Sequence, residues 1–230
     1  MAKIDVWETL SGSFGIVRSH PIVMVPSVIM TLMSMALSLL AMLGTVAGGT
    51  AGMAAGVIIM LIVTMIIGAI IMGMYPLMTK DVLEGKDIDL GETFHAVVPR
   101  IGSLIGASIL AGLIVAAGAA LLIIPGIIFA TWFYYTIPAV MLSGESATKS
   151  LSASKRFVEG KFWGTFLLLI VVVIVSMIIG LFQRVPYGII IYVMLMIPVT
   201  AWVYTIPPYA YLKCPGEADE RTEELAGPLS

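Results

Sequence analysis

The residues of this chain that could do chemistry are few and widely spread. Its two histidines, His20 and His95, lie in separate segments with no metal-ligand spacing between them. Beside a carboxylate such as Glu92, one of them could serve as an acid or base; a hydrated histidine at a membrane surface is the plainer expectation. Asp81, Glu84, Asp87, Asp89 and Glu92 crowd one short stretch and could gather a divalent cation. They lack the alternating oxygen ligands of a dedicated calcium loop, which favours a solvated turn that caps a helix. Cys214 is the single cysteine, so no intrachain disulfide can form. A thiol at a helix end is either inert or a lipidation site. Most of the sixteen methionines fall between Met24 and Met78, where thioethers could pass copper(I). Without companion histidines or cysteines to load a metal, they are expected to fill packing gaps. The sequence holds no nucleophile elbow, phosphate-binding glycine loop or zinc-protease motif. The chain is therefore expected to carry no catalytic residue, metal or cofactor.

The elements that would position side chains are overwhelmingly apolar. Of 230 residues, 60% are hydrophobic and 11% charged, and the mean hydropathy is +1.07. A soluble domain carries about 25% charged residues, and a single soluble core could not bury this much apolar surface. A net charge of -2 offers no basic face to nucleic acid. The expected fold class is all-α, a polytopic integral membrane protein. Asp5 and Glu8 precede any long apolar run, unlike the opening of a cleavable signal peptide.

A membrane helix needs about 20 mostly apolar residues. Residues 22–46, 53–79, the two halves of 101–143, 162–182 and 188–212 supply six such runs. Pro125-Gly126 divides the third stretch and predicts a tight reversal there. A four-helix alternative treats the short fourth run as re-entrant. With six helices, Lys3, Arg18, Lys80, Lys86, Arg100, Lys149, Lys155, Arg156, Lys161, Lys213 and Arg221 share one side, and Arg184 stands on the other. Basic residues flank cytoplasmic ends. Both termini are therefore expected in the cytoplasm, with the helices crossing the cell membrane. Residues 1–212 form the membrane domain, and 213–230 an acidic tail.

The helices pair into hairpins that resemble one another. TWFYYTIPAVML aligns with TAWVYTIPPYAYL, matching Thr136-Ile137-Pro138 to Thr205-Ile206-Pro207, and MGMYPLM places Tyr75 beside Pro76. ETLSGSFGIVRSHPI, ETFHAVVPRIGSL and KSLSASKRFVEGKFW precede the odd-numbered helices. Each reads as a short amphipathic interfacial helix, with apolar stripes Trp7, Leu10, Phe14 and Val17; Phe94, Val97, Val98 and Ile101; and Leu151, Phe157, Val158 and Phe162. The expected plan is three hairpins, each led by such a helix, in repeats 5–80, 88–143 and 147–212. Pro76, Pro138 and Pro207 would kink the even-numbered helices or loosen their last turns. Kinked ends could open a vestibule lined by Tyr135, Thr136 and Thr205. Gly102 with Gly106, and Gly52 with Gly56, would let helices approach closely. Lys155, Arg156 and Lys161 beside the fifth helix, and Arg184 at the far boundary, suit lipid headgroups.

The segment LLIIPGIIFATWFYYTIPAVML, the loop bearing Ser150-Leu151 and Lys155-Arg156, and EGKFWGTF resemble a broad family of prokaryotic membrane proteins. The matching residues are Pro125, Gly126, Pro138, Ser150, Arg156, Gly160 and Trp163. Archaeal members of that family contain little besides this domain, and related domains precede some glycerophosphodiester phosphodiesterases as a membrane module. The resemblance implies the membrane architecture and brings no catalytic residue, because no phosphodiesterase domain is present here. The leading expectation is a non-enzymatic membrane module that scaffolds a membrane-protein partner or a homo-oligomer and organises lipids. A transporter or channel for a lipid-like or small apolar solute, and a membrane enzyme acting on lipid headgroups, are the alternatives.

Overall fold

The computed structural model describes residues 4–182 and 188–214, and every regular element among them is helical. Arg184 and most of the tail lie outside the described residues, as do the side-chain surroundings of Gly52. The elements in chain order are α1 (Val6–Ser19), α2 (Val25–Leu83), α3 (Leu90–Val97), α4 (Ile101–Leu121), α5 (Ile123–Trp132), α6 (Thr136–Leu142), α7 (Ala147–Val158), α8 (Phe162–Leu181) and α9 (Gly188–Lys213). Short 3-10 turns at Pro21–Met24 and Val98–Arg100 lead into α2 and α4.

Among the described residues six stretches are long and apolar enough to cross a membrane: Pro21–Leu43, Gly56–Leu83, Leu90–Leu121, Ile123–Leu142, Phe162–Leu181 and Ile191–Lys213. The protein is thus an all-α, polytopic membrane protein with six spans. The first two spans share the uninterrupted helical run α2. Yet a Cβ built on Gly56 would lie 3.5 Å from the Cα of Ala41. Fifteen residues of straight helix would separate those positions by about 22 Å. The run therefore folds back between Ala41 and Gly56, and it makes a hairpin of two arms.

The second hairpin reverses differently from the sequence expectation. The turn is not at Pro125-Gly126 but at Leu122, which is extended (φ -158°, ψ 143°) between α4 and α5. Pro125 falls in the first turn of α5, where a missing N–H is no loss because no carbonyl lies upstream to receive it. Gly126 serves the approach of α4 instead. A Cβ on it would lie 2.8 Å from the Ala119 Cα and 2.9 Å from the Ala119 nitrogen.

Three short helices lie against the charged ends of the spans. Asp5 caps α1 by accepting from the Glu8 N–H at 3.0 Å, and Asp89 caps α3 by accepting from Gly91 and Glu92. Helix α3 packs on α2, α7 packs on α4 and α6, and α1 packs on α9. Each short helix thus leans on a span that precedes it, and the first leans on the last.

Their buried faces include Val17 and Val97 of the apolar stripes on α1 and α3, and most of the stripe on α7. Trp7 is 79% exposed and Phe14 53%. Phe94 and Val98 are exposed as well, while Val17 and Val97 are buried. The side chains turned inward are Thr9, Ser13, Ile16 and Val17 on α1, and Thr93 and Val97 on α3. On α7 they are Ser150, Leu151, Ser154, Phe157 and Val158. Small residues let a surface helix seat closely against a span. A Cβ on Gly12 would run into the Tyr209 ring and hydroxyl, so a larger residue there would have to push that side chain aside. Large apolar side chains lose nothing by facing lipid, so no hydrophobic force draws them inward.

Candidate functional site

The most unusual local geometry lies in the fourth span. Helix α5 ends at Trp132, α6 begins at Thr136, and three residues between them form a turn. Pro138 has no N–H to donate to the Tyr134 carbonyl, and its ring crowds that carbonyl. The Tyr134 N–H bonds to Thr131 at 3.4 Å, and the Thr136 N–H to Phe133 at 3.2 Å. These short-range bonds leave the Tyr135 N–H and the Trp132 carbonyl without partners in the span.

Both are taken by one hydroxyl from α7. Ser154 Oγ donates to the Trp132 carbonyl at 2.7 Å and accepts from the Tyr135 N–H at 3.1 Å. Ser154 and Tyr135 are both fully buried. The Trp132 ring is held as well, with Lys155 Nζ 4.7 Å from its centroid. Below the break, Tyr135 packs edge-on against Phe157 at 4.5 Å, and Phe157 against Tyr211 at 4.8 Å. The Thr165 hydroxyl from α8 lies 3.4 Å from the Tyr135 hydroxyl. The break is therefore gripped by α7, α8 and α9 together.

The same Thr-Ile-Pro sequence in α9 does not break. That helix runs continuously through Pro198, Pro207 and Pro208, and α2 runs through Pro76. Of the three prolines expected to kink or loosen their helices, only Pro138 accompanies an interruption. On the side of α9 facing α1, the counterpart of Ser154 is Ser13. Its hydroxyl accepts from the Trp202 indole at 3.1 Å and donates within α1. It contacts no backbone group of α9, so nothing there stabilises an open turn.

The three residues expected to line a cavity are core residues. Tyr135, Thr136 and Thr205 are buried. Thr136 donates to the Phe133 carbonyl at 2.8 Å and Thr205 to the Ala201 carbonyl at 2.7 Å. Tyr75 and Tyr204 meet at 5.3 Å where the first and third hairpins touch. Gly106 faces Ala147 of α7, with 3.2 Å to a built Cβ, whereas Gly102 is exposed with open space above it. The buried residues of α4 are Leu104, Ala107 and Gly118.

The cations expected at headgroups divide. Arg156 is exposed. Lys161 donates to the Cys214 carbonyl at 3.0 Å and sits over the Phe157 ring at 4.2 Å, which places it at the end of α9. Sequence reading missed Arg100, which plays the same part for α6. Its guanidinium donates to the Val140 carbonyl at 2.6 Å, one of the last carbonyls with no partner inside the helix. Arg100→Gln should therefore lower stability by about 1–3 kcal/mol, the range for a lost charged hydrogen bond. Thermal unfolding of both proteins in one detergent checks this, and an unchanged midpoint would contradict it.

The hydroxyls of Tyr75 and Tyr134 are buried without a hydrogen-bond partner among the described residues, while the charged groups and histidines outside the spans make local contacts. The acidic stretch after α2 is tied by Lys86 to Glu84 at 2.6 Å and Lys80 to Glu84 at 3.7 Å. The Lys86 hydrogen bond holds the Glu84 carboxyl below its usual range. His20 pairs with the neighbouring Ser19 hydroxyl at 2.8 Å, and His95 packs against Phe94. Among the described residues no three His, Cys, Asp or Glu side chains gather as a metal site would require.

Comparison with known families matches residues 93–209 to the family described as Domain of unknown function (DUF7847). The chain belongs to that family. The matched stretch begins in α3 and ends in α9, so it contains the broken fourth span, α7 and the Ser154 bridge in full. No curated protein and no solved structure matches the chain.

Proposed function

We propose that this DUF7847 protein is a non-enzymatic membrane module that scaffolds a membrane-protein partner or further copies of itself and organises the surrounding lipid. The observation that carries the reading is the outward face of the short helices. Trp7, Phe14 and Phe94 are exposed there, Trp163 is 73% exposed, and Lys149, Lys155 and Arg156 are exposed beside them. Aromatic side chains at this level suit the interfacial zone, and basic ones suit anionic headgroups. The open space above Gly102 leaves room for another helix.

Three units, 5–80, 88–143 and 147–212, make up the module in this reading, joined in a ring because each short helix leans on a neighbouring unit. Both termini face the cytoplasm across the cell membrane, in keeping with the placement of the basic residues.

Native mass spectrometry of the protein, extracted gently from its own membranes, tests this. A discrete heteromeric mass, or a stable homo-oligomer with few small molecules, is the expected result. One defined lipid or metabolite on every monomer would overturn it. That outcome would favour a transporter or channel for a lipid-like solute, which the interrupted fourth span supports because broken helices often build binding sites in transporters.

A further inference from the structure

We propose that α7 is a hinged lever that links the charge of the adjacent membrane surface to the break in the fourth span, with Ser154 as its point of contact. This holds whether the module scaffolds or transports.

Three features converge on it. The first is the bridge itself, because one side chain supplies a hydrogen bond to each side of the break. In an apolar surrounding an unsatisfied backbone group is costly, so the position of α7 decides whether the open turn is stable. If Ser154 withdraws, the Tyr135 N–H loses its acceptor and must find water or return to the Thr131 carbonyl.

The second is the mounting of α7. Gly144 (φ +70°) precedes it and Gly160 (φ +80°) follows it. Both have left-handed backbone that other residues rarely adopt. Helix α7 is therefore a rigid rod between two turns, seated on the spans through Ser150, Leu151, Ser154, Phe157 and Val158.

The third is the distribution of charge. Lys149, Lys155 and Arg156 are all exposed, and α7 contains no acidic residue. Lys149 and Arg156 fall on the helix face opposite Ser154, given 100° per residue. Lys155 lies on the flank, against the Trp132 ring. Anionic headgroups attract such a face by about 1 kcal/mol for each cation. That pull opposes the contacts on the other face and draws Lys155 from Trp132 and Ser154 from the break.

Hydrogen–deuterium exchange on the full chain in lipid nanodiscs provides the test, read at the peptide containing Tyr135. In nanodiscs of phosphatidylcholine the Tyr135 amide should exchange slowly. Adding phosphatidylglycerol should raise its rate about fivefold, and the Lys149→Gln, Lys155→Gln, Arg156→Gln triple variant should remove that difference. Ser154→Ala should raise the rate about tenfold in both bilayers, while Ser154→Thr, which keeps the hydroxyl, should stay near the parent. Equal rates in the two bilayers for the parent protein would overturn the proposal. So would a lipid effect that survives in the triple variant, or a Ser154→Ala effect spread equally over α4. The bilayer comparison requires no variant that disturbs packing, so it decides the matter even if Ser154→Ala folds badly.

Discussion

Gly126→Ala is expected to destabilise the protein by about 2–4 kcal/mol, at or above the usual range for overpacking. The added Cβ would stand 2.7 Å from the Ala119 Cβ, 2.8 Å from its Cα and 2.9 Å from its nitrogen. Two of those three atoms are backbone, held in the last turns of α4, and cannot rotate away. The hairpin must open instead, which parts Gly118 from Phe129 at the same crossing. Ala119→Gly added to this variant should restore only part of the loss, since it removes one of the three collisions. Unfolding by SDS titration in a fixed detergent gives the comparison. A midpoint within error of the parent protein would show that α4 and α5 do not meet this closely.

Gly73 and Leu104 should show a large energetic coupling. Gly73 lies in the second arm of α2, and a Cβ there would be 2.8 Å from Leu104 Cδ1 and 2.9 Å from Val97 Cγ1. Leu104 and Val97 are fully buried, so neither has free space to yield. Gly73→Ala alone should cost about 2 kcal/mol through overpacking. Leu104→Ala alone should cost about 2–4 kcal/mol through the cavity it leaves. In the double variant the new methyl fills part of that cavity, and the combined loss should fall at least about 1 kcal/mol short of the sum. Strict additivity in the same assay would mean that the two residues are not in contact.

Much of the fold is legible along the chain because a bilayer imposes a length and a polarity on any helix that crosses it. Six apolar runs, free of charge in their centres, leave little freedom in how many spans can form. The short surface helices were legible for a related reason. Polar caps, Asp5 and Asp89, mark where two of the three begin, and their mixed composition separates them from the spans. What local composition left open was which face of those helices packs on the spans. In a soluble protein Trp7 and Phe14 would turn inward, and a stripe drawn through them would mark the core. Beside lipid, close packing selects Thr9, Ser13 and Gly12 for the contact, and this choice leaves only a faint mark on hydropathy.

The site was less legible than the fold. Pro138 signalled a weakness in the fourth span, but Pro76 and Pro207 signalled the same for spans that stay continuous. A proline states only that a hydrogen bond is missing. Whether the helix opens depends on whether some other group can satisfy what is freed, and here that group arrives from 22 residues beyond Trp132. Arg100 and Lys161 read equally well as topology signals, because their use at the ends of α6 and α9 requires knowing which carbonyls lie within reach.

The sequence by itself thus determined the all-helical class, the six spans and the presence of interfacial helices. These follow from local composition and from the thickness of a membrane. Only the tertiary structure decided where the second hairpin turns, which faces are buried and which proline breaks its helix. Those outcomes depend on hydrogen bonds and steric contacts between residues distant in sequence, and such contacts have no local composition by which to be read.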